Sequence, residues 1–381
     1  MEYDYNDKLA FYAEWYDEET SHEKKFILNY FPSDSTLELF DRELNRIYLR
    51  RTKLDNLQMD DMFVGNTIRI YGRQVKITAY GDTRTERIVG KTKEHTFTII
   101  KPSLVPKLGE VVSEIQRRGF QICKMKMCTL TNKEVLDLYE PYKGDNLLPF
   151  LLEHLVSGPV VALELVGSNA VSRWLEELGP EDPLEGKRTA PQSLRALYGN
   201  DSRVENGFHA AKDPENARRE ANFFFKGEHS PQAPVRVRNS TCCVIKPHAI
   251  LQGKLGPILQ TITEAKFRIT ALLMYYLSSK AADEFLQVYK GVVSDYHALL
   301  LSFVDGPCVA LEICGQTDDL DAHLDFRSFC GPSDPDIGRQ IRPATLRARF
   351  GCDKYKNAVH CTDLPEDTAL ELEYFFKILD A

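Results

Sequence analysis

The sequence lacks the features of a membrane or secreted protein. In its 381 residues, no hydrophobic run approaches the ~18 apolar residues of a membrane-spanning helix. The first residues, MEYDY, do not have the basic and apolar regions of a secretory signal peptide. The nine cysteines, two of them adjacent at Cys242 and Cys243, have no metal-ligand spacing and are typical of free thiols in a reducing compartment. We therefore expect a cytoplasmic protein with no membrane partner.

Excess positive charge is also absent. A net charge of -8 argues against duplex DNA as the main partner, because DNA affinity depends on neutralising phosphates. Local basic patches stay open, but nucleic-acid processing is the least favoured function. What the chain does have is length and apolar content. With 381 residues, 43% of them hydrophobic, it can form two or three domains with ordinary cores.

The segment from residue 1 to about residue 90 is rich in short runs of β-branched and aromatic residues. The predicted strands are Lys25–Phe31, Thr36–Phe40, Arg46–Arg50, Thr67–Tyr71 and Gln74–Tyr80. Turn residues such as Gly72 separate these runs. The segment has no paired catalytic groups and no glycine-rich phosphate loop. It predicts a small β-rich domain without an active site.

The rest of the chain contains one pattern twice. In each copy a His follows three residues after an Asn, and a Glu follows eleven residues after the His. The two sets are Asn206, His209 and Glu220, and Asn357, His360 and Glu371. The histidines are about 150 residues apart, so the pattern indicates a repeated domain and not a solenoid.

Each copy of the pattern lies at the end of an alternation of strands and helices. The first repeat predicts the strand Thr96–Ile100, the helix Leu108–Arg118, the strand Phe120–Leu130, a helical region up to Ser157 and the strand Val160–Leu165. The second predicts the strand Thr241–Ile245, a helix from Gly256 and the strand Cys308–Ile313. This alternation fits a ferredoxin-like α/β sandwich. The polar, proline-containing stretch Lys226–Ser240 predicts a linker between the repeats.

A histidine in this setting can accept a phosphoryl group. An imidazole has an unperturbed pKa near ~6.5, so at neutral pH one ring nitrogen is mostly free to attack. A carboxylate on the other nitrogen would fix the tautomer and support the charge that develops on the ring. Nearby Arg and Lys side chains would hold phosphate oxygens. One isolated copy would be better interpreted as a structural histidine at a helix end, but two copies in matching surroundings favour the phosphoryl acceptor.

Four motifs occur in the same order in both repeats: Ile-Lys-Pro, Gly-Pro-x-Val-Ala, Leu-Arg and Asn-x-x-His. With them, residues 95–225 and 240–376 each resemble a nucleoside diphosphate kinase domain. In the N-terminal segment, Phe11–Tyr16, Arg51–Asn56 and Asp61–Asn66 resemble the doublet-microtubule (DM) domain of axonemal proteins. The alternative there is an unassigned β-barrel adaptor. The combination resembles the axonemal, seventh type of the kinase family.

The resemblance implies an α+β fold in four segments. These are a PH-like, β-rich DM domain at 1–92, a first kinase-like domain at 93–226, a linker at 227–239 and a second kinase-like domain at 240–381. The implied activity is transfer of the γ-phosphoryl group of a nucleoside triphosphate to a nucleoside diphosphate through a phosphohistidine, with Mg²⁺ carried by the nucleotide. The implied partners are ATP and other nucleoside di- and triphosphates, and tubulin with other proteins of the ciliary or flagellar axoneme.

The resemblance also implies a role for individual residues. His360 and His209 would be the phosphorylated nucleophiles, with Glu371 and Glu220 as their orienting carboxylates and Thr362 as a supporting hydroxyl. The implied nucleotide-binding residues are Lys246, Arg327, Ser333, Arg347 and Asn357 in the second repeat, and Lys101, Tyr139, Arg195 and Asn206 in the first. Cys361 stands where the family has Gly, a change expected to crowd the second pocket.

The first repeat departs from the family pattern. Leu175 stands where the family has a phosphate-binding Arg, Glu181 where it has a Thr, and Ala211 where it has a Ser. The neighbouring Arg173 could supply the missing positive charge. A hydrogen bond to a charged group contributes roughly 1.5–3 kcal/mol. Because each ~1.4 kcal/mol is tenfold in rate, losing one Arg would cost about 10- to 100-fold. We therefore expect the second site to be the better catalyst.

Neither repeat keeps the aromatic residue on which the family stacks the base. Leu147 aligns there in the first repeat, and Asp295, next to Tyr296, aligns there in the second. The resemblance thus predicts the phosphate end of each site better than the base end.

A purely structural role in the doublet microtubule is the alternative to catalysis, and the two roles are compatible. The N-terminal segment carries a group of cations that would face acidic tubulin. They are Arg42, Arg46, Arg50, Arg51, Lys53, Arg69 and Arg73. Strand alternation predicts that Arg46, Tyr48 and Arg50 share one face.

Overall fold

A computed structural model describes residues 8–17, 20–54, 57–90, 93–140, 144, 146–226, 230–315 and 321–380. They form a β-rich N-terminal domain and two α/β repeats, so the predicted fold class is confirmed. Residues 55–56 of the DM-like motif and 227–229 of the predicted linker lie outside this description. None of the described helices is both long and apolar enough to cross a membrane.

The N-terminal domain is one antiparallel six-stranded sheet in the order β4-β3-β2-β1-β6-β5. Its elements are β1 (Leu9–Asp17), β2 (His22–Phe31), β3 (Thr36–Asp41), β4 (Arg46–Lys53), β5 (Thr67–Ile70), β6 (Arg73–Tyr80) and α1 (Thr83–Val89). The five predicted strands are confirmed, and β1 is an additional strand. Alternation along β3 buries Leu37 and Leu39 while Glu38 stays half-buried, which gives the sheet one apolar face.

The first repeat has the strand order β10-β7-β9-β8, in which the fourth strand lies beside the first. Its elements are β7 (Glu94–Ile100), α2 (Leu108–Arg117), β8 (Gln121–Cys128), α3 (Asn132–Leu138), α4 (Leu148–Val156), β9 (Val160–Gly167), α5 (Ala170–Leu178), α6 (Pro183–Thr189), α7 (Leu194–Tyr198), β10 (Phe208–Ala210) and α8 (Pro214–Phe225). This is the predicted ferredoxin-like sandwich.

The second repeat has the same arrangement, with the order β12-β13-β11-β14. Its elements are β11 (Ser240–Ile245), α9 (Pro247–Leu251), α10 (Leu255–Glu264), β12 (Arg268–Tyr275), α11 (Ser279–Phe285), α12 (Tyr296–Val304), β13 (Cys308–Cys314), α13 (Ala322–Cys330), α14 (Pro335–Ile341), α15 (Leu346–Phe350), β14 (Val359–Cys361) and α16 (Thr368–Glu373). Helices α5 and α6 occupy the same places as α13 and α14, so Leu175 and Glu181 correspond to Arg327 and Ser333.

The two repeats associate with each other. Strands β8 and β12 pair at their edges and join both sheets into one eight-stranded sheet. Helices α2 and α10 pack so closely that a Cβ on Gly256 would lie 2.2 Å from the hydroxyl oxygen of Ser113, and one on Gly109 would lie 2.2 Å from the amide nitrogen of Gln260. Only glycine permits this approach of two helix backbones.

Ionic contacts hold the C-terminus and the N-terminal domain against this sheet. Lys126 of β8, which is 2% exposed, donates to both carboxylate oxygens of Asp380 at 3.1 and 2.9 Å. In the N-terminal domain, Arg69 pairs with Asp305 of the second repeat. Nε2 of His95 in the first repeat donates to the carbonyl oxygen of Val64 in that domain at 2.8 Å. The three domains therefore form one body.

The described part of the predicted linker is also fixed. The backbone amides of Arg236 and Val237 donate to the carboxylate of Glu312 at 3.1 and 2.7 Å. Glu312 is fully buried in β13 and also accepts from the hydroxyl groups of Ser240 and Thr270. These bonds satisfy the buried charge, as a carboxylate in a core requires.

Candidate functional site

The second site is built around His360, which lies on the edge strand β14 opposite Val244 of β11. The residue two before it, Ala358, has a φ of +71°, a left-handed conformation that is uncommon for alanine. Its amide nitrogen donates to Nε2 of His248 at 3.1 Å, which holds the turn. In the first repeat the same position is Gly207, with a φ of +83°. A constrained turn thus places each histidine.

A chain of hydrogen bonds orients the His360 ring. Its Nε2 lies 3.1 and 3.2 Å from the two carboxylate oxygens of Glu371, and the Thr362 hydroxyl donates to that carboxylate at 2.7 Å. Phe285 and Phe303 pack against the ring edge-on. No described residue forms a hydrogen bond with Nδ1 of His360. The carboxylate can therefore stabilise positive charge on the ring while Nδ1 attacks.

The second site contains two buried cations, Lys246 and Arg347. Lys246 donates to the carbonyl oxygen of Tyr355 at 2.7 Å, and Arg347 donates to those of Gly331 and Val359 at 2.9 and 3.0 Å. Burial, with the Arg347 guanidinium nearby, lowers the pKa of Lys246 to about 7. A phosphate group arriving there would restore the favoured charge of the ammonium group.

The other predicted nucleotide-binding residues of the second repeat lie around this pair. Asn357 donates through Nδ2 to the carbonyl oxygen of Ser333 at 3.0 Å, while its buried Oδ1 has no hydrogen-bond partner among the described residues. The Ser333 side chain is exposed. Arg327 pairs with Asp363, which also accepts from the hydroxyl of Tyr289 at 2.6 Å. An unsatisfied buried oxygen suits a ligand that can donate a hydroxyl group to it.

The prediction that Cys361 crowds the second pocket is wrong. Side chains alternate along a strand, so Cys361 points to the face of β14 opposite His360. There it packs in the core, and Arg347 donates to its sulfur from 3.5 Å. A hydrogen bond from Cys330, together with the positive charge of Arg347, holds the pKa of the Cys361 thiol below its ordinary value. Cys361 therefore helps to hold the guanidinium group of Arg347 in position from the core side.

The first site surrounds His209 of β10 and differs in its hydrogen bonds. Nε2 of His209 lies 2.8 Å from Glu220, as in the second site, but Nδ1 lies 3.0 Å from the hydroxyl of Tyr139. Ala211 leaves no hydroxyl to support Glu220, and Arg219 reaches that carboxylate at 3.3 Å instead. Attack through Nδ1 would require the Tyr139 hydroxyl to move aside, and Arg219 shares the charge that would stabilise the ring.

The phosphate-binding residues of the first site keep only part of the set. Lys101 donates to Oδ1 of Asn206 at 2.8 Å, and Arg195 donates to the carbonyl oxygen of Gly179 at 2.9 Å. Leu175 offers no charge and packs against the core. Burial, together with the positive charge of the nearby Arg195, lowers the pKa of Lys101 to about 7.

The suggestion that Arg173 replaces the missing cation is wrong. Its guanidinium stacks on Phe120, 4.0 Å from the ring centre, and donates to the carbonyl oxygens of Arg118 and Gly119 at 3.2 and 3.1 Å. Positions two apart on a helix point to nearly opposite sides. Arg173 therefore lies on the other side of α5 from Leu175.

Comparison with known proteins identifies the family. The sequence pattern of the nucleoside diphosphate kinases matches residues 94–230 and 239–380, and that of the DM10 domain matches residues 1–83. The chain belongs to the nucleoside diphosphate kinase family. Both resemblances seen in the sequence are thereby confirmed.

Several known proteins are similar to this chain. The chain is 43% identical to "Nucleoside diphosphate kinase homolog 7" of Rattus norvegicus over 377 residues, which are 98% of this chain and 94% of that relative. It is 39% identical to "Nucleoside diphosphate kinase homolog 5" of Homo sapiens over 132 residues, 35% and 62% of the two chains. Among solved structures, nucleoside diphosphate kinase of Aquifex aeolicus is 36% identical, with 36% of this chain and 99% of that chain covered and a TM-score of 0.34.

Neither kinase repeat has an aromatic base platform at the predicted position. Asp295 caps helix α12 by accepting from the amide of Ala298 at 2.9 Å, and the Tyr296 hydroxyl donates to Asp283 at 2.9 Å. Leu147 lies directly before α4 and is half-buried. The aromatic residues that the sequence did not point to, Phe285 and Phe303, contact His360 instead. Phe303 lies in the apolar helix α12 and Phe285 ends the mostly polar helix α11, so neither position points to the site.

When this protein binds a nucleotide above pH 7, Lys246 should take up a proton. Lys246 is buried with its pKa lowered to about 7, and a bound phosphate would raise that pKa again. The affinity for Mg-ADP should then fall as pH rises from 7 to 9, by up to about tenfold per pH unit for one lysine. Calorimetry at pH 8 in two buffers of different ionisation enthalpy measures the uptake. The Lys246→Met chain should lose the uptake of the second site, and equal heats in both buffers for the unchanged chain would contradict the expectation.

Proposed function

We propose that the second repeat is an active nucleoside diphosphate kinase whose phosphorylated residue is His360. The observation that carries the proposal is the state of the two ring nitrogens. Nε2 faces Glu371, whereas Nδ1 has no hydrogen-bond partner among the described residues. Buried Lys246 and Arg347 provide positive charge for the phosphates. The first repeat has the same elements in a less favourable arrangement.

The reaction would proceed in two mirrored steps. Nδ1 of His360 forms a bond to the γ-phosphorus of a nucleoside triphosphate, and the bond between that phosphorus and the bridging oxygen breaks. The diphosphate leaves with the electron pair on its terminal oxygen, next to the cations. Glu371 stabilises the positive ring throughout. A second diphosphate then attacks the phosphohistidine through its terminal oxygen and restores His360.

Mg²⁺ belongs to the substrate in this proposal. Among the described residues, no group of three or more His, Cys, Asp and Glu side chains is placed to hold a metal ion. When bound to the nucleotide, Mg²⁺ would neutralise phosphate charge. The protein groups that would meet the phosphates are Arg327, Arg347 and Lys246, with Asn357 placed for the ribose.

The two sites should differ in the rate at which they are phosphorylated. A His209→Ala chain leaves only His360, and a His360→Ala chain leaves only His209. We expect acid-labile phosphate from Mg-ATP to appear at least about tenfold more slowly on His209, because Leu175 contributes no charge-assisted hydrogen bond. Rapid-quench labelling of both full-length chains measures this. Equal rates, or faster labelling of His209, would show that the first site is not impaired.

The N-terminal domain is our proposed anchor to tubulin and the axoneme of a cilium or flagellum, with the protein residing in the cytoplasm and cytoskeleton. Ion pairs within the chain leave only part of the predicted basic surface available to a partner. Arg51 pairs with Asp34, and Arg69 pairs with Asp305, so neither serves an external partner. The exposed residues of β4 are Arg46, Ile47, Tyr48, Arg50 and Lys53, three of them cations. A purely structural role there would be compatible with catalysis.

Reversing the charge of this surface should weaken microtubule association. In the Arg46→Glu/Arg50→Glu chain, binding to polymerised tubulin should fall by about tenfold or more and the remaining binding should lose its salt dependence. Phosphoryl transfer should be unchanged. The Lys133→Glu/Lys377→Glu chain, altered at two exposed lysines of the repeats, is the matched control. Co-sedimentation measures the affinity, and unaltered binding of the β4 variant would place the anchor elsewhere. Surface variants are preferable to deleting residues 1–90, which would uncover Val166 of the first repeat.

A further inference from the structure

Three charged residues form a cluster at the first site, centred on Glu181, whose equivalent in the second repeat is uncharged. Glu181 stands where the second repeat has Ser333, and its carboxylate accepts from Arg203 at 2.8 Å. The ammonium group of Lys212 lies 3.9 Å from the same carboxylate. Lys212 is three residues after His209, where the second repeat has Asp363 three residues after His360.

The two repeats therefore place opposite charges at one equivalent position, that of Lys212 and Asp363. In the second repeat, the cation comes from Arg327 on α13 and its partner is Asp363 after β14. In the first repeat, α5 carries the uncharged Leu175, and the cation is Lys212 after β10, paired with Glu181. The first repeat thus carries this cation not on the helix but on the segment that follows the histidine, three residues after His209.

The position of Glu181 ties this cluster to the phosphate-binding groups. Asn206 donates through Nδ2 to the carbonyl oxygen of Glu181 at 3.0 Å, and Asn206 also accepts from Lys101. The negative charge of Glu181 raises the pKa values of Lys101 and Arg195 against the lowering effect of burial. A carboxylate so placed offers these cations the charge that a phosphate oxygen would offer.

We infer that Lys212 and Arg203 are phosphate-binding residues of the first site. The Glu181 carboxylate pairs with both of them until a nucleotide phosphate displaces it. The inference rests on the proposed function of the repeats. Both side chains and Glu181 are about half exposed, so they can exchange partners without disturbing the core. Lys212 then supplies the positive charge that Leu175 does not, but the carboxylate of Glu181 neutralises it before a nucleotide binds. The site would favour ligands with enough phosphate charge to displace a carboxylate.

Removing the competing anion tests this directly. In full-length chains that carry His360→Ala, so that only His209 can be labelled, Glu181→Ser should lower the half-saturating Mg-ATP concentration for acid-labile labelling by about tenfold. If the parent chain takes no label, Glu181→Ser should make labelling appear. Lys212→Met should raise the half-saturating concentration by about tenfold, and its effect should be larger when Glu181 is already serine. Glu373→Ser and Lys377→Met, which alter an exposed pair in the second repeat, are the controls and should change nothing.

The possible outcomes separate this inference from the proposed function. Labelling of His360 in a His209→Ala chain establishes that the kinase chemistry operates. If that labelling occurs but Glu181→Ser neither speeds nor tightens labelling of His209, the masking carboxylate is disproved. If Lys212→Met has no effect in the Glu181→Ser chain, Lys212 is not a phosphate-binding residue. Absence of label from His360 itself would overturn the proposed function instead.

Discussion

A chain with alanine at both His209 and His360 should retain less than about 10⁻⁴ of the phosphoryl-transfer turnover of the His209→Ala chain. Removing a catalytic nucleophile commonly costs a factor of this size or more, because the other groups of the site cannot form the covalent intermediate. The fold should be unchanged, since His360 lies on a three-residue edge strand and makes its side-chain hydrogen bonds only to Glu371 among the described residues. Coupled-enzyme assays and circular dichroism provide the two measurements.

The control for this loss is a histidine of the same repeat outside the site. His297 is exposed on α12, so His297→Ala in the same His209→Ala background should keep full turnover. Turnover that persists without both histidines would mean that another residue accepts the phosphoryl group. Loss of turnover with His297→Ala would mean that the assay reports folding.

The second large effect is on stability and concerns the contact between the repeats. Gly256→Ala should lower the free energy of unfolding by about 1–3 kcal/mol, because the added Cβ would meet Ser113 atoms at 2.2 and 2.5 Å. The sign is diagnostic. In an open helix position the same change usually stabilises by about 1 kcal/mol. Thermal denaturation of the full chain, followed by circular dichroism, measures the shift.

A helical glycine with ordinary space around it is the matched control. A Cβ on Gly186 of α6 would meet its nearest neighbour, Ala196, at 3.4 Å. Gly186→Ala should therefore leave the stability unchanged or raise it. If Gly256→Ala stabilises the chain as much as Gly186→Ala does, the close packing of α2 against α10 is not present in solution.

Local patterns were sufficient to predict the repeat, the strands and the histidine site. The Asn-x-x-His spacing and the Glu eleven residues later act within one strand–helix unit, so their geometry follows from short stretches of chain. Such features need no knowledge of distant contacts. Side-chain alternation does not explain the exposure of Arg46, Tyr48 and Arg50, because the register of β4 against β3 shifts between Ile47 and Leu49 and Ile47 is exposed as well.

The features that sequence reasoning missed depend on distant contacts. Phe285 and Phe303 meet His360 across about 60–75 positions of chain, and no local pattern distinguishes them from other core residues. Arg173 was misplaced because a residue two positions from Leu175 lies on the other side of the helix. Pairing of the repeats through β8 and β12 likewise joins edges whose identity only the folded sheet reveals.

The most direct test of the central claim is to map the phosphate on the protein after brief exposure to Mg-ATP. The full-length chain should carry acid-labile phosphate on Nδ1 of His360, with much less on His209, and adding a nucleoside diphosphate should remove it and form the triphosphate. Peptide mass spectrometry at alkaline pH locates the residue, and phosphorus NMR distinguishes the two ring nitrogens. Phosphate on Nε2, or none on His360, would contradict the proposed function of the second repeat.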